Sequence, residues 1–282
     1  MNSNKFIEKF EQQVKKTIQK YKLTEKKDKI LVAMSGGKDS TVVAYLLKKF
    51  GFYVEGLHIN LLMGNWSEQN LENIRKFCKE QGINLHIYSI RKEIGCSVCY
   101  LKSIVKEKTN LRDCTICGIV RRWLINKKAR LLGATKIATG HNLDDEAQTV
   151  LMNIFKGNPT IGLKQGPLTG VVEENKFVPR IKPLFFCEEK DIKKYSEIMK
   201  FPVLYQRCPC VIGALRHGIR NQLDSFEIKN KNVKENIVKN WFEIKKGLIK
   251  NIKVQEVLHC ERCGEPTRNK ICKACLIMEK IK

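Results

Sequence analysis

The stretch that most constrains this chain is ILVAMSGGKDSTVVAYLL, which runs from Ile30 to Leu47. An apolar run of strand type gives way to six small or polar residues and then resumes with helical spacing. Two glycines let the backbone approach a ligand closely, and the following helix presents free N–H groups to an anion. Lys38 adds a positive charge, and Ser35 and Ser40 add hydroxyl donors. We therefore expect a phosphate site that differs from the GxxxxGK[ST] loop; the alternative is a plain strand–helix turn.

Strands and helices alternate along the chain from Lys29 onward. The β-α repetition and the nearly continuous apolar strands predict an α/β fold with a doubly wound parallel sheet, in which ligands bind at the carboxyl ends of the strands. The expected strands are residues 29–35, 53–60, 83–90 and 135–141, and the expected helices are residues 38–50, 67–81 with Ser67 as N-cap, 115–132, 143–155 and 188–199. The glycine- and proline-rich residues 157–170 are expected to form a loop.

Four segments are expected along the chain. An amphipathic N-terminal helix is indicated by the helical spacing of Phe6, Phe10, Val14 and Ile18. The predicted domains are this helix at residues 1–28, the α/β domain at 29–212, a helical C-terminal region at 213–255 and a compact cysteine-rich tail at 256–282.

A second polar motif, TGHNLDDEAQT, occupies residues 139–149 at the end of the fourth predicted strand. Its polar side chains are His141, Asn142, Asp144, Asp145 and Glu146. Carboxylates at such a position can hold Mg²⁺ against triphosphate oxygens. The alternative is an acidic helix start that the helix dipole favours.

Twelve cysteines are many for a chain from a reducing compartment, where metal binding or redox chemistry is more common than disulfide formation. Eight of the twelve form CxxC pairs: Cys96/Cys99, Cys114/Cys117, Cys260/Cys263 and Cys272/Cys275. The last two pairs, joined by a short turn, predict a tetrahedral Cys₄ zinc ribbon that depends on its metal for stability. By spacing alone the first two pairs suggest a second ribbon. Cys78 and Cys187 are expected to be small buried apolar residues.

The net charge is +24 and the isoelectric point is about 9.6. Such a balance suits a polyanionic partner such as nucleic acid, although a lysine-rich solvated surface has the same composition. No stretch approaches the roughly 20 apolar residues of a membrane span, and the N-terminus lacks the apolar region of a secretion signal. We therefore expect a cytoplasmic protein with no membrane partner.

Four motifs in the expected order carry a resemblance to a known family. SGGKDS resembles the PP-loop of N-type ATP pyrophosphatases, which cleave ATP between the α- and β-phosphates. GHNLDDEAQ resembles the signature of the TtuA/TtcA superfamily of PP-loop tRNA thiolases. DCTICGIVRR at 113–122 and the CP motif in QRCPC resemble the cluster-binding segments of the TtuA and wobble-uridine 2-thiouridine synthetase branch. The resemblance, which extends from about Phe6 through KPLF to the tail ribbon, implies a PP-loop ATP pyrophosphatase, HUP-like fold.

The resemblance implies a set of site residues. It assigns a 4Fe–4S cluster to Cys114, Cys117 and Cys208, with one iron left open to bind sulfide. It assigns ATP to Ser35, Gly36, Gly37, Lys38, Asp39, Ser40, His58, Gly140 and His141. The expected catalytic residues are Asp145, with Asp144 as its competitor, and Lys38. Cys96, Cys99 and Cys210 have no counterpart in the family motifs, and we expect a local structural or redox role for them.

The function that the resemblance implies is tRNA 2-thiolation. A uridine O2 attacks the α-phosphorus of ATP in the presence of Mg²⁺, and sulfur from the cluster then displaces AMP. The expected partners are tRNA, a sulfur donor that is free sulfide or a thiocarboxylated ubiquitin-like protein, and a second copy in a homodimer. Arg121 and Arg122, which follow the cluster cysteines, are expected to contact phosphate or tRNA, and the alternative is a solvated helix face. The alternative functions are cytidine 2-thiolation, a non-thiolating PP-loop ligase, and a non-catalytic zinc-ribbon RNA-binding protein.

Overall fold

The protein is described here from a computed structural model that defines residues 3–170, 176–206, 208–209, 215–249 and 257–281. The helices in these ranges are α1 Ser3–Lys20, α2 Lys38–Lys49, α3 Asn65–Glu80, α4 Ile90–Ile94, α5 Val98–Lys108, α6 Asp113–Leu131, α7 Leu143–Phe155, α8 Pro159–Gly162, α9 Glu189–Ile198, α10 Leu215–Lys229, α11 Val233–Ile249 and α12 Lys273–Glu279. The strands are β1 Lys29–Ala33, β2 Tyr53–Asn60, β3 Asn84–Ser89, β4 Lys136–Ala138, β5 Leu168–Thr169, β6 Arg180–Ile181, β7 Leu258–His259 and β8 Pro266–Thr267.

The main sheet confirms the predicted α/β fold. Its strand order is β3-β2-β1-β4-β6-β5, and every pairing except that of β5 with β6 is parallel. Strand β1 pairs with β2 on one side and with β4 on the other, so the direction of winding reverses between β1 and β4. Helices α2 and α7 leave the carboxyl ends of β1 and β4 there, and a crevice opens between them.

Side chains alternate along β1 between two apolar cores on opposite faces of the sheet. Ile30 and Val32 join a core formed with α1, α2, α3 and α9, whereas Leu31 joins a core formed with α5 and α6. Both cores contain fully buried aliphatic side chains, so the sheet is covered on both faces. This is the arrangement that parallel strands need, because they are apolar on both sides.

The N-terminal helix lies on the first of these cores, as its spacing predicts. Phe6, Phe10, Val14 and Ile18 are all buried. The ring of Phe10 stacks on Tyr195 of α9 with 4.8 Å between centroids. Cys78 and Cys187 are also buried among apolar residues, as expected. Burial raises the pKa of the Cys78 thiol to about 11, so this thiol is poorly nucleophilic at neutral pH.

Several element boundaries differ from the sequence predictions. Helix α3 begins at Asn65 and not at Ser67, and Gly64 is its N-cap. Ser67 lies in the first turn, where its hydroxyl accepts a hydrogen bond from the Met63 N–H at 2.9 Å. Strand β4 is only three residues long because the chain turns into the site after Ala138. Helices α4 and α5 were not predicted, and α8 and β5 interrupt the predicted loop at 157–170.

The tail forms a small unit against α6. Strands β7 and β8 pair antiparallel and are followed by α12, and Ile119 and Trp123 of α6 pack against its apolar cluster. The predicted domain boundaries near residues 212 and 255 fall outside the described residues and stay predictions. Among the helices of the described ranges, none has the length and apolar character needed to cross a membrane.

Candidate active site at the switch point of the sheet

A cavity of about 500 Å³ lies at the carboxyl ends of β1, β2, β4 and β6, where the fold predicts a ligand. It brings the two predicted motifs together. Its polar lining comprises Ser35, Asp39, Ser40, His58, Trp66, Ser67, Asn70, Arg121, Arg122, Thr139, His141, Asp145, Thr169, Arg180 and Lys182.

The SGGKDS loop is held in shape by its own hydroxyl groups. The Ser40 hydroxyl accepts from the Ser35 N–H at 3.1 Å and lies 3.0 Å from the Ser35 hydroxyl, and it is also within hydrogen-bonding distance of the Gly37 carbonyl. Gly37 is the N-cap of α2 and provides no side-chain cap. The N–H groups of the first turn are therefore available to an anion, and the positive end of the helix dipole favours one.

Gly36 is required by both backbone conformation and space. Its φ of +85° belongs to the left-handed region that side chains rarely adopt. A Cβ atom on Gly36 would lie 2.3 Å from Oδ1 of Asn70. Asn70 is itself fixed, since it is buried and its amide donates to the Trp66 carbonyl at 2.7 Å. A similar close approach at Gly140 leaves no room for a Cβ beside the backbone of Asp39 and Ser40.

The acidic motif connects to the loop through Asn142, the N-cap of α7. Its amide donates to Oδ1 of Asp39 at 3.0 Å, and its side-chain oxygen accepts from the Asp145 N–H. Together with the reciprocal contact from Asp145 to the Asn142 N–H, this forms a capping box. The start of α7 is thereby tied to the start of α2.

The two neighbouring aspartates of this motif have different environments. Asp144 is buried away from the first cavity, where it accepts from the Glu189 N–H at 2.7 Å and pairs with Lys234 of α11. Asp145 lines the cavity and contacts Arg216 of α10 at 3.3 Å. Burial raises the pKa of Asp145 to about 6. The nearby Arg216 lowers this pKa, whereas the carboxylates of Asp39 and Glu189 raise it further. The geometry therefore favours Asp145 over Asp144 as the reactive carboxylate.

Two histidines face the cavity in the neutral form. His141 is open to the cavity, yet desolvation between the cavity walls and the surrounding cations Lys182, Arg216, Arg121 and Arg180 lower its pKa to about 3. Burial also lowers the pKa of His58, whose Nδ1 lies 2.8 Å from the Met34 carbonyl and therefore carries the proton. Nε2 of His58 is then an acceptor, and it has no partner among the described residues. A nucleotide that donates a hydrogen bond to Nε2 would satisfy this buried acceptor.

Lys38 points away from the first cavity. Its ammonium group donates to Glu189 at 2.8 Å and to Asp39 at 3.1 Å, and Arg220 holds the other oxygen of Glu189. Burial lowers the pKa of Lys38, but the carboxylates of Asp39 and Glu189 outweigh it and raise the pKa overall. Lys38 lines a second cavity of about 940 Å³, so residues of the SGGKDS loop border both cavities.

The four tail cysteines fit a single zinc ion. Sγ atoms of Cys260, Cys263, Cys272 and Cys275 all lie within 4.8 Å of one another. The Cys263–Cys272 sulfur separation of 3.7 Å is close to the edge of a tetrahedron with Zn–S bonds of about 2.3 Å. Burial raises the pKa of Cys260, but N–H donors from Cys272, Cys263 and Arg262 outweigh it and lower the pKa to about 6. Cys260 is thus the thiol that most readily becomes a thiolate, whereas burial raises the pKa of Cys272 and of Cys275 in the absence of a metal.

The middle cysteines are arranged differently. Cys114 and Cys117 lie one turn apart at the start of α6, and Cys99 is exposed at the start of α5. Cys96 and Cys117 are half-buried, and each packs against the second core. In the described ranges no three of these four form a group around one metal ion, so the second zinc ribbon suggested by spacing does not assemble. A four-iron cluster binds each cysteine to a separate iron, so its ligands need not crowd around one point. Cys208 is half-buried, and Cys210 lies outside the described residues.

Comparison with known proteins places these features in a family. A model of the PP-loop domain matches residues 6–205. The chain belongs to this PP-loop family. It is 38% identical over 270 residues to a tRNA-5-methyluridine(54) 2-sulfurtransferase of Pyrococcus horikoshii, covering 96% of this chain and 84% of that protein. It is 32% identical to a cytoplasmic tRNA 2-thiolation protein 1 of Chlamydomonas reinhardtii, covering 97% of this chain and 77% of that protein.

Comparison with solved structures supports the same family. A solved structure of a U34-tRNA thiolase from Methanococcus maripaludis, determined with its [4Fe-4S] cluster, superposes with a TM-score of 0.81 at 26% identity. The match covers 98% of this chain and 88% of that chain. The predicted PP-loop thiolase membership is confirmed by these relatives.

The structure adds residues at this site that the sequence motifs did not assign to it. Arg180 of β6 and Lys182, which directly follows this strand, line the cavity, and Arg216 of α10 contacts Asp145. Lys182 pairs with the buried Glu146, whereas Arg121, Arg122 and Arg180 have no carboxylate partner among the described side chains. Burial and the proximity of Arg122 lower the pKa of Arg180 to about 10. Together with Arg121 and Arg122 of α6, Arg180 and Lys182 form a cationic wall of the cavity. The sequence motifs indicated the two α6 arginines and, through KPLF, Lys182, but they gave no direction for these side chains.

The loop geometry predicts that Gly36→Ala is far more damaging than Gly37→Ala. The first substitution places a Cβ against Asn70 at positive φ, whereas the second meets only the Ser35 hydroxyl at 3.7 Å with φ of −88°. We expect Gly36→Ala to lower the free energy of unfolding by about 2–4 kcal/mol and Gly37→Ala to change it by less than about 1 kcal/mol. Urea unfolding of both variants measures this. Equal losses would contradict the close packing of Gly36 on Asn70.

The raised pKa of Asp145 predicts a pH-dependent effect of Asp145→Asn on stability. An acid whose pKa rises from 3.8 to about 6 on folding costs stability as pH rises through that interval, because the folded protein retains the proton. The variant lacks this cost. The difference in free energy of unfolding, variant minus wild type, should therefore increase from pH 4 to pH 6 and level off about 1–2 kcal/mol above its value at pH 4.

Urea unfolding at a series of pH values in metal-free buffer tests this expectation. Glu235→Gln on α11 is the control, because the Glu235 side chain is 43% exposed and pairs with the exposed Lys239, and this variant should follow the wild-type pH dependence. A variant that is less stable than wild type at pH 7 would show that the contact of Arg216 with Asp145 outweighs the cost of burial.

Proposed function

We propose that the protein is an ATP-dependent tRNA 2-thiolase that adenylates a uridine at O2 and replaces that oxygen with sulfur. One observation carries the proposal: the SGGKDS loop, Asp145 and the cationic wall share one cavity. Two arginines of this wall lie on α6, and Cys114 and Cys117 lie near the start of the same helix. The relatives support the same reaction, since their names describe tRNA 2-sulfurtransferases and a tRNA thiolase.

The loop supplies the activating half of the reaction. ATP would place its β- and γ-phosphates on the N–H groups of the Ser35–Ser40 loop, with the adenosine toward His58. The uracil O2 attacks the α-phosphorus and the bond to the β-phosphate oxygen breaks, so pyrophosphate leaves. Loop N–H groups and Lys38, after exchange of its contact with Glu189, stabilise the departing charge. Mg²⁺ is proposed beside Asp145, with oxygen ligands from Asp39 and the triphosphate.

Asp145 is proposed to take up the N3 proton that the uracil loses when O2 becomes bonded to phosphorus. Its raised pKa of about 6 suits a carboxylate that must accept a proton near neutral pH. The neutral His141 lies on the same side of the cavity and offers a hydrogen bond without adding charge. Arg216 keeps the Asp145 carboxylate facing the cavity by its contact at 3.3 Å.

The second half of the reaction exchanges oxygen for sulfur. A sulfur nucleophile forms a bond to C2, the C2–O bond breaks, and the oxygen leaves as part of AMP. A 4Fe–4S cluster held by Cys114, Cys117 and Cys208 would supply an iron with an open position for that sulfur. Arg121, Arg122 and Arg180, which have no carboxylate partner among the described residues, suit the phosphates of AMP and of the tRNA backbone.

The cellular setting is proposed from the relatives. Several of them carry the word cytoplasmic in their names, and the net charge of +24 suits tRNA. The sulfur donor, either free sulfide or a thiocarboxylated ubiquitin-like protein, and the homodimer stay predictions.

Anaerobic assay of 2-thiouridine in tRNA, with ATP, Mg²⁺ and sulfide, tests the proposed reaction. We expect AMP and pyrophosphate to appear in equal amounts with the product. Asp145→Asn should lower kcat about 100-fold or more with no loss of stability. Asp144→Asn should instead unfold at a lower temperature, because it disrupts a buried pairing with Lys234.

Glu235→Gln on the surface of α11 is the matched control and should keep wild-type kcat. Release of ADP and phosphate in place of AMP and pyrophosphate would contradict the proposal. Full thiolation by Asp145→Asn would remove Asp145 from the mechanism.

Metal analysis after anaerobic purification tests the cysteine assignments independently of activity. We expect about four irons and about one zinc per chain. Cys114→Ser should lose iron and keep zinc, whereas Cys263→Ser should lose zinc and keep iron. About two zincs with no iron after anaerobic reconstitution would favour a pair of zinc sites over the cluster.

A further inference from the structure

The tail ribbon meets the rest of the protein at a buried carboxylate. Glu265, between the two CxxC pairs, is 3% exposed. Its oxygens accept hydrogen bonds from both terminal nitrogens of Arg130 and from the Asn126 amide at 3.1 Å. Asn126 and Arg130 are one turn apart on α6, so a single face of this helix holds the carboxylate.

The contact of Glu265 with Asn126 and Arg130 is called the junction below. The chain entering β6 is a third segment that joins it. The Asn126 amide also donates to the Lys176 carbonyl at 2.9 Å, and its side-chain oxygen accepts from the Val178 N–H at 3.2 Å. The Lys176 ammonium group returns to the ribbon, where it donates to the Gly264 carbonyl at 3.1 Å. The ribbon, α6 and the chain entering β6 are therefore fastened at one point.

The junction is energetically important because its polar groups are removed from water. A buried carboxylate that loses one of its donors retains the cost of desolvation without the compensating hydrogen bond. The ribbon is also held by apolar packing. Its buried cluster of three cysteines and Ala274 packs against Ile119 and Trp123 of α6, and Ile277 of α12 is buried in the second core. The Glu265 junction is the buried polar contact added to this packing.

The segments fastened at the junction are the ones that build the cationic wall of the cavity. Helix α6 supplies Arg121, Arg122 and Ile125, the last of which directly precedes Asn126. The other segment supplies Arg180, two residues beyond Val178, and then Lys182. A shift at the junction would therefore move both halves of the wall relative to the SGGKDS loop, which lies on a different pair of elements.

We propose that Glu265 is a positioning residue through which the tail ribbon fixes α6 and β6, and with them the cationic wall that receives the substrate phosphates. The effect of Glu265 on structure is independent of the proposed thiolation, whereas its effect on substrate binding rests on that function. Glu265 does not itself reach the cavity, so it acts through Asn126 and Arg130.

The test uses the full-length protein with Glu265→Gln, which keeps the size of the side chain and removes its charge. Glu261→Gln is the matched control, because Glu261 is an exposed carboxylate in the same ribbon. Zinc content should stay at the wild-type level in both variants, because only the four cysteines, and neither glutamate, bind the zinc. Hydrogen exchange should become about tenfold or more faster in Glu265→Gln over residues 117–131 and 176–182, and stay unchanged in the SGGKDS segment.

Kinetics and a second variant distinguish a positioning role of Glu265 from a general loss of protein stability. KM for tRNA should rise about fivefold or more in Glu265→Gln with kcat and ATP affinity near wild type. Arg130→Gln should show the same exchange pattern, and the double variant should stay within about twofold of the stronger single variant, because both act through one contact. Should Glu265→Gln fail to fold, Arg130→Lys, which keeps the charge but loses the two-pronged contact, decides by the same exchange measurement.

Exchange over α6 and β6 that matches Glu261→Gln, or effects that add in the double variant, would overturn the proposal. The exchange measurement needs no substrate. If the wild-type protein fails to thiolate tRNA, the proposed function fails while the positioning role of Glu265 is still judged by exchange.

Discussion

The parallel pairing of β1 with both β2 and β4 is the constraint on which the rest of this structure depends. Because winding reverses between β1 and β4, the helices that follow these strands diverge and leave a crevice at their carboxyl ends. The SGGKDS loop and the acidic motif are more than 100 residues apart in sequence, yet each occupies the turn after one of these two strands. Their contact is close enough that Gly140 has no room for a Cβ beside Asp39.

Burial then assigns different roles to chemically similar residues. Asp144 and Asp145 are adjacent, but the helix directs one into a buried ion pair with Lys234 and the other into the cavity. The cations divide in the same way. Lys38 is neutralised by Glu189, whereas Arg121, Arg122 and Arg180 face the cavity without a carboxylate partner among the described residues. The cavity is therefore prepared for an anion. Its histidines are kept neutral chiefly by desolvation, to which the surrounding cations add at His141.

Much of the fold was predictable because it depends on local pattern. The amphipathic spacing of α1, the strands before the two motifs and the helices after them are all present in the structure. Predictions failed where tertiary contacts override local preference. Ser67 has the chemistry of an N-cap but lies inside α3, since the chain turns earlier at Gly64. The CxxC pairs Cys96/Cys99 and Cys114/Cys117 have the spacing of a zinc ribbon, but they lie near the starts of two different helices, α5 and α6, and in the described part of the chain no three of these thiols lie within reach of one ion.

The sequence by itself determined the parts of this protein whose physics is local. These are the alternation of strands and helices, the glycine at positive φ in the SGGKDS loop, and the two knuckles that bring the four tail thiols into reach of one ion. Only the tertiary structure decided which side chains meet across the fold. Arg216 reaches Asp145 from 71 residues away, and Glu265 meets Asn126 across 139 residues. No sequence period encodes contacts of this kind, because they arise from the packing of helices whose relative positions the sheet and the two cores fix.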